Sequence, residues 1–201
     1  MKTIVFATNN SHKVAELADF FDKKFPEQLD IKTLAEVGFY DEIIEDADTF
    51  EGNAYIKANT VCRATGLVAI ADDSGLKVDF LGGKPGVFSA RYAGEGCNSE
   101  DNIKKLLREL DGVPKEKRTA RFVSVLCAYF PDGRTLYAKG TCEGVILTEK
   151  TGNGTFGYDP IFYYEPLKKS FAELDIETKN QISHRGKALQ QFEVIFDPNK
   201  A

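Results

Sequence analysis

Two adjacent carboxylates, Asp72 and Asp73, follow an apolar run over residues 67–71 of the sequence. The run has the composition of a buried strand, and the small residues Ser74 and Gly75 that come next predict a turn. Buried carboxylates are costly to leave unpaired, so a divalent cation or a basic side chain is needed to hold them. The pair therefore indicates a site for a metal ion and phosphate.

Two basic positions could supply the partner for these carboxylates. The polar loop Thr8 to Lys13 lies between a predicted strand and a predicted helix, where backbone N–H groups and the Lys13 charge favour phosphate, although such loops often only cap the helix. Lys57 falls on the same helical stripe as apolar residues of a second predicted helix. Its stem could simply be half-buried with the charge in water, or its ammonium could face Asp72 and Asp73.

An acidic patch over residues 41–48, with five acids in eight positions, precedes that second helix. Most acids in such a patch are solvated or favour a helix N-terminus. One of them could still complete a Mg²⁺ site with Asp73, because Mg²⁺ commonly takes one or two carboxylates and fills its other positions with water and substrate phosphates.

Two segments of the last third could bind a flat heterocycle. In the glycine-rich loop over residues 152–160, Phe156 or Tyr158 could stack on a base and Asp159 could accept hydrogen bonds, the alternative being a hairpin with core aromatics. Lys179 and the segment 183–187 add several donors. His184 lacks the neighbours of a metal site, which favours a role as donor to a base or phosphate, or a merely solvated basic face.

Composition narrows the class of protein. The 201 residues are 42% hydrophobic, with 15 Phe and 8 Tyr, which is enough for a sizeable core. The net charge of -5 argues against a nucleic-acid-binding surface. The apolar N-terminal stretch is too short for a signal or a membrane span, so we expect a cytoplasmic protein without membrane partners. The four cysteines lack metal or redox spacing and are expected to be free and mostly buried.

Hydrophobic periodicity predicts one compact α/β unit over residues 1–201, with two lobes around a cleft as a possible form. A strand over 2–8 leads to a helix beginning near Ser11, and Asp48 is the predicted cap of a helix running towards Gly66. The later predicted elements are a strand over 76–81, a loop to about residue 98, a helix beginning near 99, a hairpin over 121–147 and a helix near 178–196.

Six ordered blocks of the sequence together resemble the inosine triphosphate pyrophosphatase family, in particular its bacterial XTP/dITP pyrophosphatases. The resemblance covers essentially the whole chain. The blocks are T-N-N-S-H-K at 8–13, F-E-G-N-A-Y-I-K-A at 50–58, A-D-D-S-G-L at 71–76, G-G-K-P-G-V-F-S-A-R-Y-A-G at 82–94, F-G-Y-D-P-I-F at 156–162 and I-S-H-R-G-K-A-L at 182–189.

The resemblance implies an α/β fold with a mixed, elongated central sheet flanked by helices, and two lobes around an active-site cleft. It implies Mg²⁺-dependent hydrolysis of dITP, ITP and XTP to the monophosphate and pyrophosphate, by a homodimer. Asp73 would be the general base and a metal ligand, with Lys13 and Lys57 neutralising phosphate charge. The implied substrate-binding residues are Thr8, Asn9, Asn10, Ser11, His12, Lys13, Ser74, Phe156, Gly157, Tyr158, Asp159, Lys179, His184 and Arg185.

Several assignments stay open within this resemblance. Glu45 matches the family's other metal ligand, but the local sequence E-D-A-D-T-F departs from the common E-E-T-G-x-T-F form, and Asp46 is the competitor. Asp72 could share the base role or be structural. His184 or Arg185 could donate to the 6-oxo group that separates hypoxanthine and xanthine from adenine. The segment 89–92 matches the family without an assigned role.

Two other classes of function compete with hydrolysis. One is a purine nucleotide-binding regulatory module that does not hydrolyse its ligand. The other is an RNA-binding protein that uses the glycine-rich loop and its aromatic residues, which the acidic balance of the chain disfavours.

Overall fold

A computed structural model of the protein describes residues 1–153 and 156–200. In these residues seven strands form one sheet, in the order β2-β1-β3-β4-β5-β6-β7. The strands are β1 (Lys2–Phe6), β2 (Leu29–Thr33), β3 (Val68–Val78), β4 (Thr119–Tyr129), β5 (Thr135–Ile146), β6 (Phe162–Tyr164) and β7 (Lys169–Ser170). The α-helices are α1 (Ser11–Lys24), α2 (Phe50–Thr65), α3 (Ser99–Glu109), α4 (Ile176–Ile182) and α5 (His184–Ile195).

The sheet is mixed, as predicted. Strand β1 pairs in parallel with both β2 and β3, whereas β6 pairs antiparallel with β5 and β7. In the β1–β3 ladder Phe6 lies opposite Ile70, and the Ala7 N–H donates to the Ile70 carbonyl oxygen at 2.8 Å. Because the two strands run the same way, the loop that follows β1 begins level with Asp72.

Strand β3 corrects the expected turn at Ser74 and Gly75. The strand continues without a break from Val68 to Val78, and nearly all of its residues are buried. A central strand covered on both faces has little room for a turn, so its pairing with β1 and β4 outweighs the turn preference of the Ser-Gly pair. Asp72 and Asp73 therefore lie within a strand rather than at its end.

The helices also differ from the sequence predictions at two places. Thr49, and not Asp48, caps α2, with the Thr49 Oγ1 accepting from the Gly52 N–H at 3.0 Å. The single helix expected near 178–196 is two helices, because Ser183 is extended and its hydroxyl accepts from the Gly186 N–H at 3.0 Å. The hairpin β4–β5 is confirmed, whereas the short strands β2, β6 and β7 were not predicted.

The chain divides into two compact units, each with its own core. The first unit contains Met1–Asp73, Val125–Lys139 and the chain from Ala188 onward, and its core packs β1 and residues Val68 and Ile70 of β3 against α1 and α5. The second unit contains Ser74–Ser124 and Gly140–Lys187, with a core that includes Leu76, Phe122 and Phe162. The expectation of a single functional domain over 1–201 stays a prediction.

None of the helices in the described residues is long and apolar enough to cross a membrane. The four cysteines are free and three of them are buried, in agreement with their spacing.

Candidate active site

The polar loop after β1 is organised by its own side chains. Asn10 is the N-cap of α1, and its Oδ1 accepts from the backbone N–H groups of His12 at 3.1 Å and Lys13 at 3.2 Å. Thr8 Oγ1 in turn accepts from the Asn10 N–H at 3.2 Å. Asn9, Asn10, Ser11 and His12 are exposed. The loop is thus preformed, but the cap already uses two of the N–H groups that the sequence assigned to phosphate.

Lys13 extends from the first turn of α1 to Asp72. Its Nζ lies 2.9 Å from the Asp72 Oδ1, and the Asp72 side chain is fully buried. Val68 and Ile70 of β3 pack in the same core as Leu17 and Phe21 of α1. Because alternate residues of a strand share a face, Asp72 continues the Val68 and Ile70 face and points towards α1.

Lys57 is the partner of the second carboxylate. It lies on α2 and is 8% exposed, with its Nζ 2.7 Å from the Glu45 Oε2 and 3.5 Å from the Asp73 Oδ1. Buried Asn53 accepts from the Ala47 N–H at 3.0 Å, which holds the segment that carries Glu45 against α2. Glu45 is therefore the acid of the 41–48 patch that reaches this cluster, whereas Asp46 is exposed.

The electrostatics of the cluster differ between its members. Burial raises the pKa of Asp73 above its ordinary value, although the ammonium groups of Lys57 and Lys13 act in the opposite direction. Burial alone would lower the pKa of Lys57, but the carboxylates of Asp73 and Glu45 outweigh it, so its pKa is raised. Lys57 therefore stays charged, and Asp73 is a stronger base than an exposed aspartate.

The cluster also fits a divalent cation. Glu45 and Asp73 offer carboxylate oxygens on either side of one positive charge, and the Asp73 Oδ2 is buried without a hydrogen bond from any residue that the structure describes. Among the residues that the structure describes, no three or more His, Cys, Asp or Glu side chains are grouped so that they could hold a metal ion by themselves. Two carboxylates are what Mg²⁺ commonly takes from a protein, with water and phosphate as its other ligands.

In the second unit, buried Asp159 and half-buried Lys179 form an ion pair beside an exposed aromatic ring. Asp159 is 6% exposed and its Oδ2 accepts from the Lys179 Nζ. The Lys179 Nζ also lies 5.3 Å from the centre of the Phe156 ring, which is 42% exposed. Of the two aromatics proposed for stacking, Phe156 is thus the accessible one, since Tyr158 is 5% exposed. Gly157 is partly exposed between them, and Gly154 and Thr155 lie outside the described residues.

His184 and Arg185 begin helix α5 in the same unit. The His184 ring stacks on Phe122, with centroids 4.8 Å apart and planes 17° from parallel. Arg185 is 6% exposed and its Nη2 donates to the Ser74 hydroxyl at 3.3 Å. Both side chains are therefore held in place by neighbours within the unit. Side chains that recognise a ligand need such support.

The sequence predicted most of these groups but not their partners. Lys57 was expected to face the carboxylates of both Asp72 and Asp73. In the structure it pairs with Asp73, whereas Asp72 pairs with Lys13. The pairing of Asp159 with Lys179 and the stacking of His184 on Phe122 were missed. Neither has a local signal, because the partners lie 20 and 62 residues apart in the sequence.

Comparison with known proteins gives consistent results. The model of the Ham1 family matches residues 4–195. The chain is 48% identical over 195 residues to the dITP/XTP pyrophosphatase of Bacillus cereus, covering 96% of this chain and 94% of that protein. Its structure matches a Ham1 protein from Coxiella burnetii with a TM-score of 0.91 and 38% identity over 100% of both chains. It also matches the Staphylococcus aureus Ham1 protein with a TM-score of 0.88 and 41% identity over 96% of this chain and 97% of that one.

Proposed function

The chain belongs to the Ham1 family, and we propose that it hydrolyses dITP, ITP and XTP to the monophosphate and pyrophosphate. Family membership confirms the resemblance read from the sequence, and the similar proteins named dITP/XTP pyrophosphatase support this choice of substrates. The observation that carries the proposal is the cluster of Glu45, Lys57 and Asp73, in which the buried ammonium of Lys57 pairs with both carboxylates. Such hydrolysis would keep deaminated purines out of DNA and RNA.

The proposed roles in the first unit follow from charge. A triphosphate carries about four negative charges and attack by water adds more, so neutralisation is the main catalytic demand. Lys13 and Lys57 supply two positive charges for it. Asp73 takes the proton of the attacking water, the role that the resemblance implies for it. Asp72 has a fully buried side chain paired with Lys13, which favours a structural role for it.

Glu45 and Asp73 are the residues that we propose hold Mg²⁺. When bound, the metal would neutralise phosphate oxygens as a Lewis acid. Hydrolysis of triphosphate anhydrides by this family supports a divalent cation in general, and the two-carboxylate donor set supports Mg²⁺ in particular.

The second unit carries the groups that we propose read the purine. Phe156 stacks on the base, Asp159 accepts from its polar edge, and His184 or Arg185 donates to the 6-oxo group. Adenine presents an amino group at that position, so it would leave the donor unmatched, and unmatched buried groups can discriminate by up to about 10⁴-fold. The Thr8 to Lys13 loop and Ser74 would contact the remainder of the nucleotide.

Three further predictions accompany this function. A homodimer is supported by apolar side chains left exposed in the second unit, Phe80 at 51% and Phe88 at 55%, and light scattering of the purified protein would measure it. Cytoplasmic localisation and the absence of nucleic-acid partners rest on the sequence and its net charge of -5.

The deciding experiment incubates the purified protein with dITP, XTP, dATP and dGTP, with and without Mg²⁺. We expect Mg²⁺-dependent release of pyrophosphate and monophosphate, fastest from dITP and XTP. Binding of dITP without any release of pyrophosphate would instead support a regulatory nucleotide-binding module.

Variants test the individual roles. Asp73→Asn should lower kcat by about 10² to 10⁴ while the circular dichroism spectrum stays that of the parent, as expected for loss of a general base. A near-normal kcat would place the base elsewhere. His184→Ala and Arg185→Ala should each narrow the preference for dITP over dATP, and an unchanged ratio would remove that residue as the reader of the 6-oxo group.

A further inference from the structure

Ser89 belongs to the 89–92 segment, for which the sequence offers no role. It is 8% exposed and makes hydrogen bonds through both its side chain and its backbone. The Ser89 Oγ accepts from the Leu76 N–H at 2.9 Å and donates to the Gly86 carbonyl oxygen at 2.6 Å. The Ser89 carbonyl oxygen accepts from the Tyr158 hydroxyl at 2.8 Å. Ser89 thus joins strand β3 to the glycine-rich loop, with all of these contacts in the second unit.

Tyr158 is a core residue rather than a surface for a base. Its ring packs with Leu76, Phe162 and other apolar side chains of the second unit. Burial raises the pKa of its hydroxyl, so the group is protonated near neutral pH and donates to the Ser89 carbonyl oxygen. The next residue in the chain is Asp159, which is paired with Lys179.

The other end of this connection also lies beside a nucleotide-contacting group. Leu76 is two residues beyond Ser74 in β3, and the Ser74 hydroxyl accepts from Arg185. A chain of covalent and hydrogen bonds therefore runs from Ser74 through Leu76, Ser89 and Tyr158 to Asp159. It connects the Ser74–Arg185 pair to the Asp159–Lys179 pair, and the proposed function assigns both pairs to one purine nucleotide.

We propose that Ser89 and the Tyr158 hydroxyl are positioning residues, which hold the Asp159–Lys179 pair at a fixed place relative to Ser74 and Arg185. This proposal rests on the proposed function, since the geometry that they hold is that of the purine-reading groups. A base is discriminated well only if the groups that contact it are held to within about 0.5 Å. Loss of the connection should therefore weaken binding and selectivity more than the chemical step.

Tyr158→Phe removes the donor and keeps the ring that fills the core. We expect KM for dITP to rise about tenfold, because the Asp159–Lys179 pair is no longer held at its place, with kcat changed by less than about twofold. The ratio of kcat/KM for dITP over dATP should fall. Tyr163→Phe, the same change at a half-buried tyrosine of β6, is the control and should leave KM and the ratio unchanged.

Ser89→Ala and the double variant test whether the two residues act through one connection. Ser89→Ala should shift KM and the selectivity ratio in the same direction, and adding Tyr158→Phe to it should cost less than the product of the two single effects. A purely structural role would lower the melting temperature of both variants and leave KM and the ratio at their parental values, which would overturn the proposal.

The outcomes separate this proposal from the function on which it rests. Parental hydrolysis of dITP with an unchanged KM in Tyr158→Phe would refute the positioning role and leave the function standing. If the parent releases no pyrophosphate, the function fails, and amide hydrogen exchange still decides the connection. Exchange at Leu76 and over residues 156–159 should quicken in Tyr158→Phe and not in Tyr163→Phe, and equal exchange would refute it.

Discussion

Replacing Lys57 by methionine should destabilise the metal-free protein, and Mg²⁺ should reverse much of the loss. Methionine nearly preserves the volume of the side chain but removes the charge between Glu45 and Asp73. At an effective dielectric constant of about 20, unit charges 3.5 Å apart attract by about 5 kcal/mol, before the cost of burying them is subtracted. Breaking a buried pair on one side typically costs about 3 kcal/mol or more, because a carboxylate is left without its counter-charge.

A loss of about 3 kcal/mol corresponds to a fall of roughly 6–12 °C in melting temperature for a domain of this size. Lys139→Met is the matched control, because Lys139 also pairs with a glutamate of α2, Glu51, at 2.8 Å, but both side chains are about half exposed. Such surface pairs contribute at most about 1 kcal/mol, so the control should melt within about 2–4 °C of the parent.

Calorimetric melting with chelator and with about 10 mM MgCl₂ separates the possible outcomes, because a ligand that binds the folded state raises its melting temperature. Mg²⁺ should raise the melting temperature of Lys57→Met more than that of the parent, because it replaces a cation that the variant lacks. Equal melting of Lys57→Met and Lys139→Met without metal would refute the ion-pair argument. An equal effect of Mg²⁺ on the parent and Lys57→Met would place the metal away from Glu45 and Asp73.

Three shorter predictions concern other parts of the chain. In Gly186→Ala the new methyl group would lie 1.7 Å from the Asn180 carbonyl oxygen, so α5 must move away from α4. We expect this variant to have a lower melting temperature and at least a tenfold lower kcat/KM for dITP. Arg118 is 3% exposed and donates to three carbonyl oxygens at 2.7–2.8 Å. Arg118→Met should therefore lower the free energy of unfolding, measured in urea, by about 3 kcal/mol. Lys117→Met, at an exposed neighbouring lysine, is the control and should change it by less than about 0.5 kcal/mol. Only Cys97 should react quickly with a thiol reagent at pH 8 in the folded protein, because burial protects the other thiols and raises the pKa of Cys142 to about 11.

The sequence predicted those parts of the fold and site that depend on local pattern. The start of α1 at Ser11 and the β4–β5 hairpin follow from periodicity and turn residues, and both are confirmed. The break at Ser183 was missed because neither proline nor glycine stands at that position, and a serine can either continue a helix or cap the next one. The short strand β2 was missed as well, since its five residues are held by the neighbouring β1 and carry little signal of their own.

The wrong prediction of a turn at Ser74 matters more, because the course of the chain there decides which partners Asp72 and Asp73 can reach. If the chain turned there, Asp72 and Asp73 could converge on one cation. In a continuous strand, successive side chains point to opposite faces, so the two carboxylates have different partners, Lys13 from α1 and Lys57 from α2. The division of labour between Asp72 and Asp73 is therefore set by the alternation of β3. Only Asp73 lies on the face where Glu45 and Lys57 complete the site, and for this reason it is the proposed base and metal ligand.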